Sequence, residues 1–129
     1  MSGPHPLRTF ETIALIAIGG FAGANLRFLV ARLLPGAGGT LLVNVVGSFV
    51  LGFVLYEARY TGVLTERARL VLATGFLSSL TTYSTFALQT TLLARPVWMV
   101  ANVLATYALG FGSVLVGRAF ARRIGGGDR

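Results

Sequence analysis

Charged residues cut this chain into four long apolar runs. Between successive charges the runs cover 12–26, 33–56, 70–94 and 96–117. A bilayer span takes about 20 mainly apolar residues at 1.5 Å rise each, so the last three cross outright. The first reaches that length only if Arg27 is drawn into its helix. The pattern predicts an all-α membrane protein with four transmembrane helices, forming a single domain over residues 1–129. Helix one is expected from about Thr12 to Ala31, ended by the Pro35-Gly36-Ala37-Gly38-Gly39 stretch. Helix two is expected from Thr40, as N-cap, to Tyr56, and helix three from Leu70 to Ala94. Arg95-Pro96 turns into helix four, which carries Trp98 at headgroup level and ends at Gly117-Arg118. Arg8 ahead of an apolar stretch with Ala22-Gly23-Ala24 also has the outline of a secretory signal. The same glycines serve as packing positions in a span, and the four-span reading is taken.

Small residues four apart mark contact faces in lipid, where helices associate by close backbone approach. Such pairs include Gly19 with Gly23, Ser48 with Gly52, and Ser113 with Gly117. Polar residues inside a span cost free energy unless they face a partner or a wet cavity. Arg27 lies in the first span, Asn44 in the middle of the second, and Asn102, Thr106, Tyr107 and Ser113 in the fourth. The third holds Ser78-Ser79-Leu80-Thr81-Thr82-Tyr83-Ser84-Thr85 at its centre. So many hydroxyls and weak helix formers predict a helix broken mid-membrane, which survives at that depth only when buried in protein or lining a cavity. Freed carbonyls would suit a cation, and freed N–H and hydroxyl groups an anion. A continuous helix with its hydroxyls bonded back to its own carbonyls is the alternative.

Composition narrows the function. The chain is 54% hydrophobic and 12% charged, with 11 basic residues against 4 acidic ones and a net charge of +7. All the basic residues are arginines lying between or beyond the spans, apart from Arg27, so they report orientation rather than nucleic-acid binding. There is no cysteine for a disulfide or thiolate metal site, and the single histidine, His5, sits in a Pro-flanked tail. Glu11 and Glu57 stand at span ends, leaving no intramembrane carboxylate for proton-coupled export. The hydroxyl residues have no intramembrane base to make a nucleophile, so no enzyme is expected. A passive anion pathway fits the inventory best.

Three segments carry a resemblance. They are Gly19-Gly20-Phe21-Ala22-Gly23-Ala24-Asn25-Leu26-Arg27-Phe28; Gly39-Thr40-Leu41-Leu42-Val43-Asn44-Val45-Val46-Gly47-Ser48-Phe49; and Gly75-Phe76 followed by Thr81-Thr82-Tyr83-Ser84-Thr85-Phe86. In order, spacing and total length the chain resembles the Fluc/CrcB family of fluoride channels. The resemblance implies a fluoride-selective passive channel that lowers cytoplasmic fluoride. It also implies an antiparallel dimer of four-helix subunits with two pores. A structural sodium ion would be held at the dimer interface by third-helix backbone carbonyls, here those of Ser78 and Thr81. Asn44, Thr40, Ser84 and Thr85 would offer N–H and O–H donors to the anion. The family's paired Phe positions fall on Tyr83 and Phe86, whose electropositive ring edges can meet fluoride, and Arg27 would draw anions to a vestibule or tie helices. The chain departs from the family at Ser78-Ser79, where a glycine pair is usual, and at Tyr83, where Phe is usual.

Four spans put the N-tail, second loop and C-tail on one side. That side carries Arg8, Arg59, Arg67, Arg69, Arg118, Arg122, Arg123 and Arg129, and the other Arg32 and Arg95. This bias places both termini in the cytoplasm of a multi-pass protein of the bacterial plasma membrane, surrounded by lipid. A chain inserting both ways round should be nearly balanced, so a heterodimer with an oppositely oriented homologue is favoured over a homodimer. The competing readings are a non-conducting subunit of a membrane complex and a small multidrug-type exporter.

Overall fold

The computed structural model describes residues 6–126, which leaves His5 and Arg129 outside the described residues. Pro6 opens α1 (Pro6–Leu33), where its missing N–H costs nothing. Polar side chains along α1 turn back on their own helix: Thr12 donates to the Arg8 carbonyl at 2.9 Å and Asn25 to that of Phe21 at 2.7 Å. Arg27 falls inside this helix, which gives the first run its full span. Leu34 N–H closes the end on the Val30 carbonyl at 2.7 Å. Gly36 then takes a φ of 86°, a left-handed conformation open to glycine at little cost.

That turn shifts the start of α2 (Ala37–Tyr60). Thr40 is not the N-cap the sequence predicts; it lies buried inside the helix, with Gly36 at the cap. The helix also runs a turn beyond Tyr56 before Thr61 and Gly62 N–H close on the Glu57 carbonyl. Thr65 caps α3 (Glu66–Arg69) by accepting from Ala68 N–H at 3.2 Å. A π-helical segment, Leu70–Leu77, follows, then α4 (Ser78–Leu80) and α5 (Ser84–Thr91). Thr81 between the last two is extended, with φ −77° and ψ 155°. The third span therefore starts before Leu70 and ends before Ala94. Arg95, extended as a residue before proline prefers, leads into α6 (Pro96–Gly125). This helix does not stop at Gly117-Arg118; its last turns are held because Gly125 packs against Tyr60 and the Arg118 guanidinium lies 5.0 Å from the Tyr56 ring centroid.

Among the described residues, four helical stretches are long and apolar enough to cross a membrane: Pro6–Leu33, Ala37–Tyr60, Glu66–Thr91 and Pro96–Gly125. They associate in two tight pairs. α1 lies along the π segment, and α2 along α6. Glycines make the pairs: a side chain at Gly19 or Gly23 would strike backbone of Val71 or Phe76, and one at Gly75 the Ile16 carbonyl. In the other pair Gly52 meets Val114, and Gly117 meets Phe49 and Phe53. The four-residue spacing marks Gly19, Gly23, Gly52 and Gly117 among these contacts, and Gly75 lies outside those pairs. Val43, Leu77 and Leu80 are buried between the pairs, with Val30, Val50, Leu51 and Phe76 packed around them.

Contacts at the loops sort the arginines. Arg67 pairs with Glu11 at 3.0 Å, Arg69 with Glu57 at 3.5 Å, and Arg118 lies over Tyr56, so these three share one end of the bundle. Arg32 at the end of α1 and Arg95 at the start of α6 stand at the other.

Candidate functional site

Where the third span leaves helical geometry, the middle of α2 supplies what the backbone lacks. Asn44 Nδ2–H donates to the Thr82 carbonyl at 2.9 Å, and Thr82 N–H donates to Asn44 Oδ1 at 2.8 Å. An amide suits this place because it donates and accepts at once. The exchange has a consequence upstream. In a continuous helix Thr82 N–H would go to the Ser78 carbonyl, and Thr85 N–H to that of Thr81. Here the first goes to Asn44 and the second to Thr82 Oγ1 at 3.3 Å. The carbonyls of Ser78 and Thr81 thus lose their usual helical donors; at these two positions the resemblance implies a sodium ion.

The hydroxyls behave in two ways. Thr81 Oγ1 donates to the Leu77 carbonyl at 2.9 Å, Ser78 Oγ to the carbonyls of Thr74 and Gly75, and Thr90 Oγ1 to that of Phe86 at 2.7 Å. Those are bonds back along the chain. Thr82 instead donates to Thr85 Oγ1 at 3.2 Å, and its Oγ1 stands 3.4 Å from Ser84 Oγ, which makes a short chain of hydroxyls past the extended residue.

Two clefts flank this point. The larger, about 520 Å³, lies between α2, the third span and α6, and takes in Asn44, Ser78, Thr81, Tyr83 and Phe86. The smaller, about 250 Å³, lies between α1, α2 and α5, and takes in Arg27, Thr40, Thr85 and Gln89. Thr82 lines both. The structure thus brings Asn44, Tyr83 and Phe86 together, gathers Arg27, Thr40 and Thr85 at a second place, and leaves Ser84 beside the hydroxyl chain. In the larger cleft Phe86 is buried and Tyr83 is 72% exposed, with ring centroids 5.9 Å apart. Phe86 also meets Tyr107 edge to face, at 6.2 Å and 84°, and Tyr107 leads on to Phe111 at 6.1 Å. Gln89 Oε1 and Thr106 Oγ1 are buried in the walls with no hydrogen-bond partner among the described residues.

A profile of the family described as "CrcB-like protein, Camphor Resistance (CrcB)" matches residues 14–118. The chain belongs to the CrcB family. The CrcB chain is 55% identical to a Haloarcula marismortui protein named Fluoride-specific ion channel FluC 1, over 100% of both chains. It is 53% identical to Fluoride-specific ion channel FluC 2 of Halobacterium salinarum, covering 96% of this chain and 98% of that one. A third relative, Fluoride-specific ion channel FluC 2 of Methanosarcina mazei, is 38% identical over 94% of this chain and 95% of its own. With four spanning helices, this CrcB chain is a multi-pass membrane protein. The three segments that carry the resemblance meet where Asn44 binds Thr82 and where Gly19 and Gly23 admit the third span.

Three residues at this candidate site have no part that the sequence alone predicts. Thr82 lies within the hydroxyl string without a predicted part of its own, although it walls both clefts. Tyr107 stood out as polar in an apolar helix, and that signal was available. Gln89 was carried by no motif; only the fold brings it beside Arg27 and Thr40.

Proposed function

We propose that this chain is a subunit of a fluoride-selective passive channel that lowers cytoplasmic fluoride, with the residues around Asn44 and Thr82 on the ion's route. The observation that carries this is the Asn44–Thr82 exchange, which holds extended backbone between two clefts in a chain whose relatives are named fluoride-specific ion channels. Fluoride is small and strongly hydrated, so its path must replace water with donors. Asn44 keeps a second amide N–H, and Thr85 Oγ1, which accepts from Thr82, keeps its own proton to give. The ion would enter by the cleft of Arg27, Thr40 and Thr85, pass Thr82 and Ser84, and meet the ring edges of Phe86 and Tyr83 beyond. The inside-negative potential then drives expulsion, at about 2.3 kcal/mol per charge per 100 mV, with no ATP or proton relay.

The assembly we infer is an antiparallel dimer with two pores, the third span interrupted mid-membrane at 81–83. The larger cleft carries exposed Tyr83 and Phe111, an aromatic face suited to a second subunit. A sodium ion fits the same face: the Ser78 and Thr81 carbonyls have lost their helical donors, and hard oxygen donors suit a hard cation. Sodium would serve there as a structural charge between subunits. The arginine bias favours cytoplasmic termini in the cell membrane, and a heterodimer with an oppositely oriented homologue over a homodimer.

The test is fluoride release, followed with a fluoride electrode, from potassium-fluoride-loaded liposomes with sodium present and chloride release as control. Fast, fluoride-selective release by this chain alone establishes the channel and removes the need for a second homologue. Release only after co-expression with an opposite-orientation homologue supports the heterodimer. Absence of release in both arms overturns the channel reading.

A further inference from the structure

α5 is a short helix with one buried side chain, Phe86. Leu88 and the adjoining Leu92 are exposed, so apolar packing does little to fix how this helix is turned about its axis. Polar ties do so at both ends. On the N-terminal side the Asn44 amide holds Thr82. On the C-terminal side Asn102 of α6 donates Nδ2–H to Thr90 Oγ1 at 2.8 Å, and Thr90 donates its own hydroxyl proton to the Phe86 carbonyl at 2.7 Å. Between the ties the Phe86 ring stands edge to face on Tyr107, also of α6.

A threonine in a span satisfies itself by bonding back one turn, and needs no second helix to do it. Asn102 is different. In an otherwise apolar stretch it carries a desolvation cost that has to be offset, and the partner it meets is the hydroxyl already bound to Phe86's backbone. The relay therefore ties α6 to one carbonyl of the third span, that of the residue whose ring lines the larger cleft.

We propose that Asn102 and Thr90 are positioning residues of the ion pathway: the Asn102–Thr90–Phe86 relay sets the rotation of α5, and with it the edge that Phe86 presents to the cleft. This rests on the channel reading above and names what holds its aromatic edge in place. Side-chain bonds between helices in membranes shift an equilibrium by about three- to twentyfold, which sets the scale of the effect.

The experiment has two readouts on the full chain, assembled as the conducting form requires. One is fluoride and chloride release from liposomes. The other is the ¹⁹F resonance of 4-fluorophenylalanine placed at position 86, recorded in fluoride-free micelles. Thr90→Val removes the hydroxyl at nearly constant shape, Asn102→Leu removes the donor, and Thr90→Ser keeps the hydroxyl. Thr90→Val and Asn102→Leu are expected to slow fluoride release by about three- to twentyfold and to move or broaden the resonance. Thr90→Ser restores both. A resonance left in place by Thr90→Val overturns the proposal, as does one that moves while release from a conducting parent is unchanged. If the parent itself releases no fluoride, the channel reading falls, and the resonance alone decides whether the relay sets the ring.

Discussion

Glu57 and Asn44 sit on the same helix, about 20 Å apart at 1.5 Å per residue, and each ties down backbone that has left helical geometry. Glu57 does this at the end of the span. It is only 4% exposed, and its Oε1 accepts from Thr61 Oγ1 at 2.6 Å, Val63 N–H at 2.5 Å and Leu64 N–H at 3.1 Å. Arg69 stands 3.5 Å from the other oxygen. Asn44 does it mid-helix with a neutral amide, giving one bond to Thr82 and taking one back. The loop at 61–64 offers donors, so an acceptor-only carboxylate suits it, with a guanidinium nearby to balance the charge. Thr82 offers a donor and an acceptor at a depth where a charge costs roughly 3 kcal/mol or more. Depth and the groups to be satisfied select the side chain.

Exchanging the two chemistries breaks the comparison open. Asn44→Asp has the largest expected effect: it removes the donor to Thr82, puts negative charge on the route proposed for the anion and adds the cost of a buried charge. Fluoride release per folded channel should drop about a hundredfold, the factor matching that intramembrane charge cost; release near the parent rate would take Asn44 off the pathway. Glu57→Gln is the converse exchange. Its carbonyl oxygen still accepts from the loop while the ion pair is lost, so thermal stability in detergent should fall and release per folded channel stay unchanged. Equal loss of release in both variants would show that the two ties are not divided by depth. Tyr83→Phe is the mildest: the ring edge remains, the residue is exposed, and release and stability should change least of the three. A marked change would give the Tyr83 hydroxyl a part in conduction.

How much of this was legible depended on whether a residue's role is local. Asn44 and the hydroxyl string announced themselves because each interrupts an apolar run. Gly19, Gly23, Gly52 and Gly117 were legible through their spacing. Glu57 is legible only as a span-end charge, since nothing near it in sequence shows that a carboxylate there will be buried under its own loop. The helix ends moved for similar reasons: the left-handed Gly36 shifts the start of α2, and Tyr56 and Tyr60 hold the last turns of α6. The sodium and dimer expectations came from resemblance and stand as proposals.

By itself the sequence determined the four spans and the uneven arginines, because hydropathy and charge act over a few neighbouring residues. Tertiary structure decided that Asn44 meets Thr82 across 38 positions, that Thr82 separates two clefts, and that Asn102 reaches Phe86 through Thr90. The Asn44–Thr82 and Asn102–Thr90 contacts are hydrogen bonds between different spans, and the partner of a buried polar group is whichever group the packing of the helices brings within about 3 Å of it.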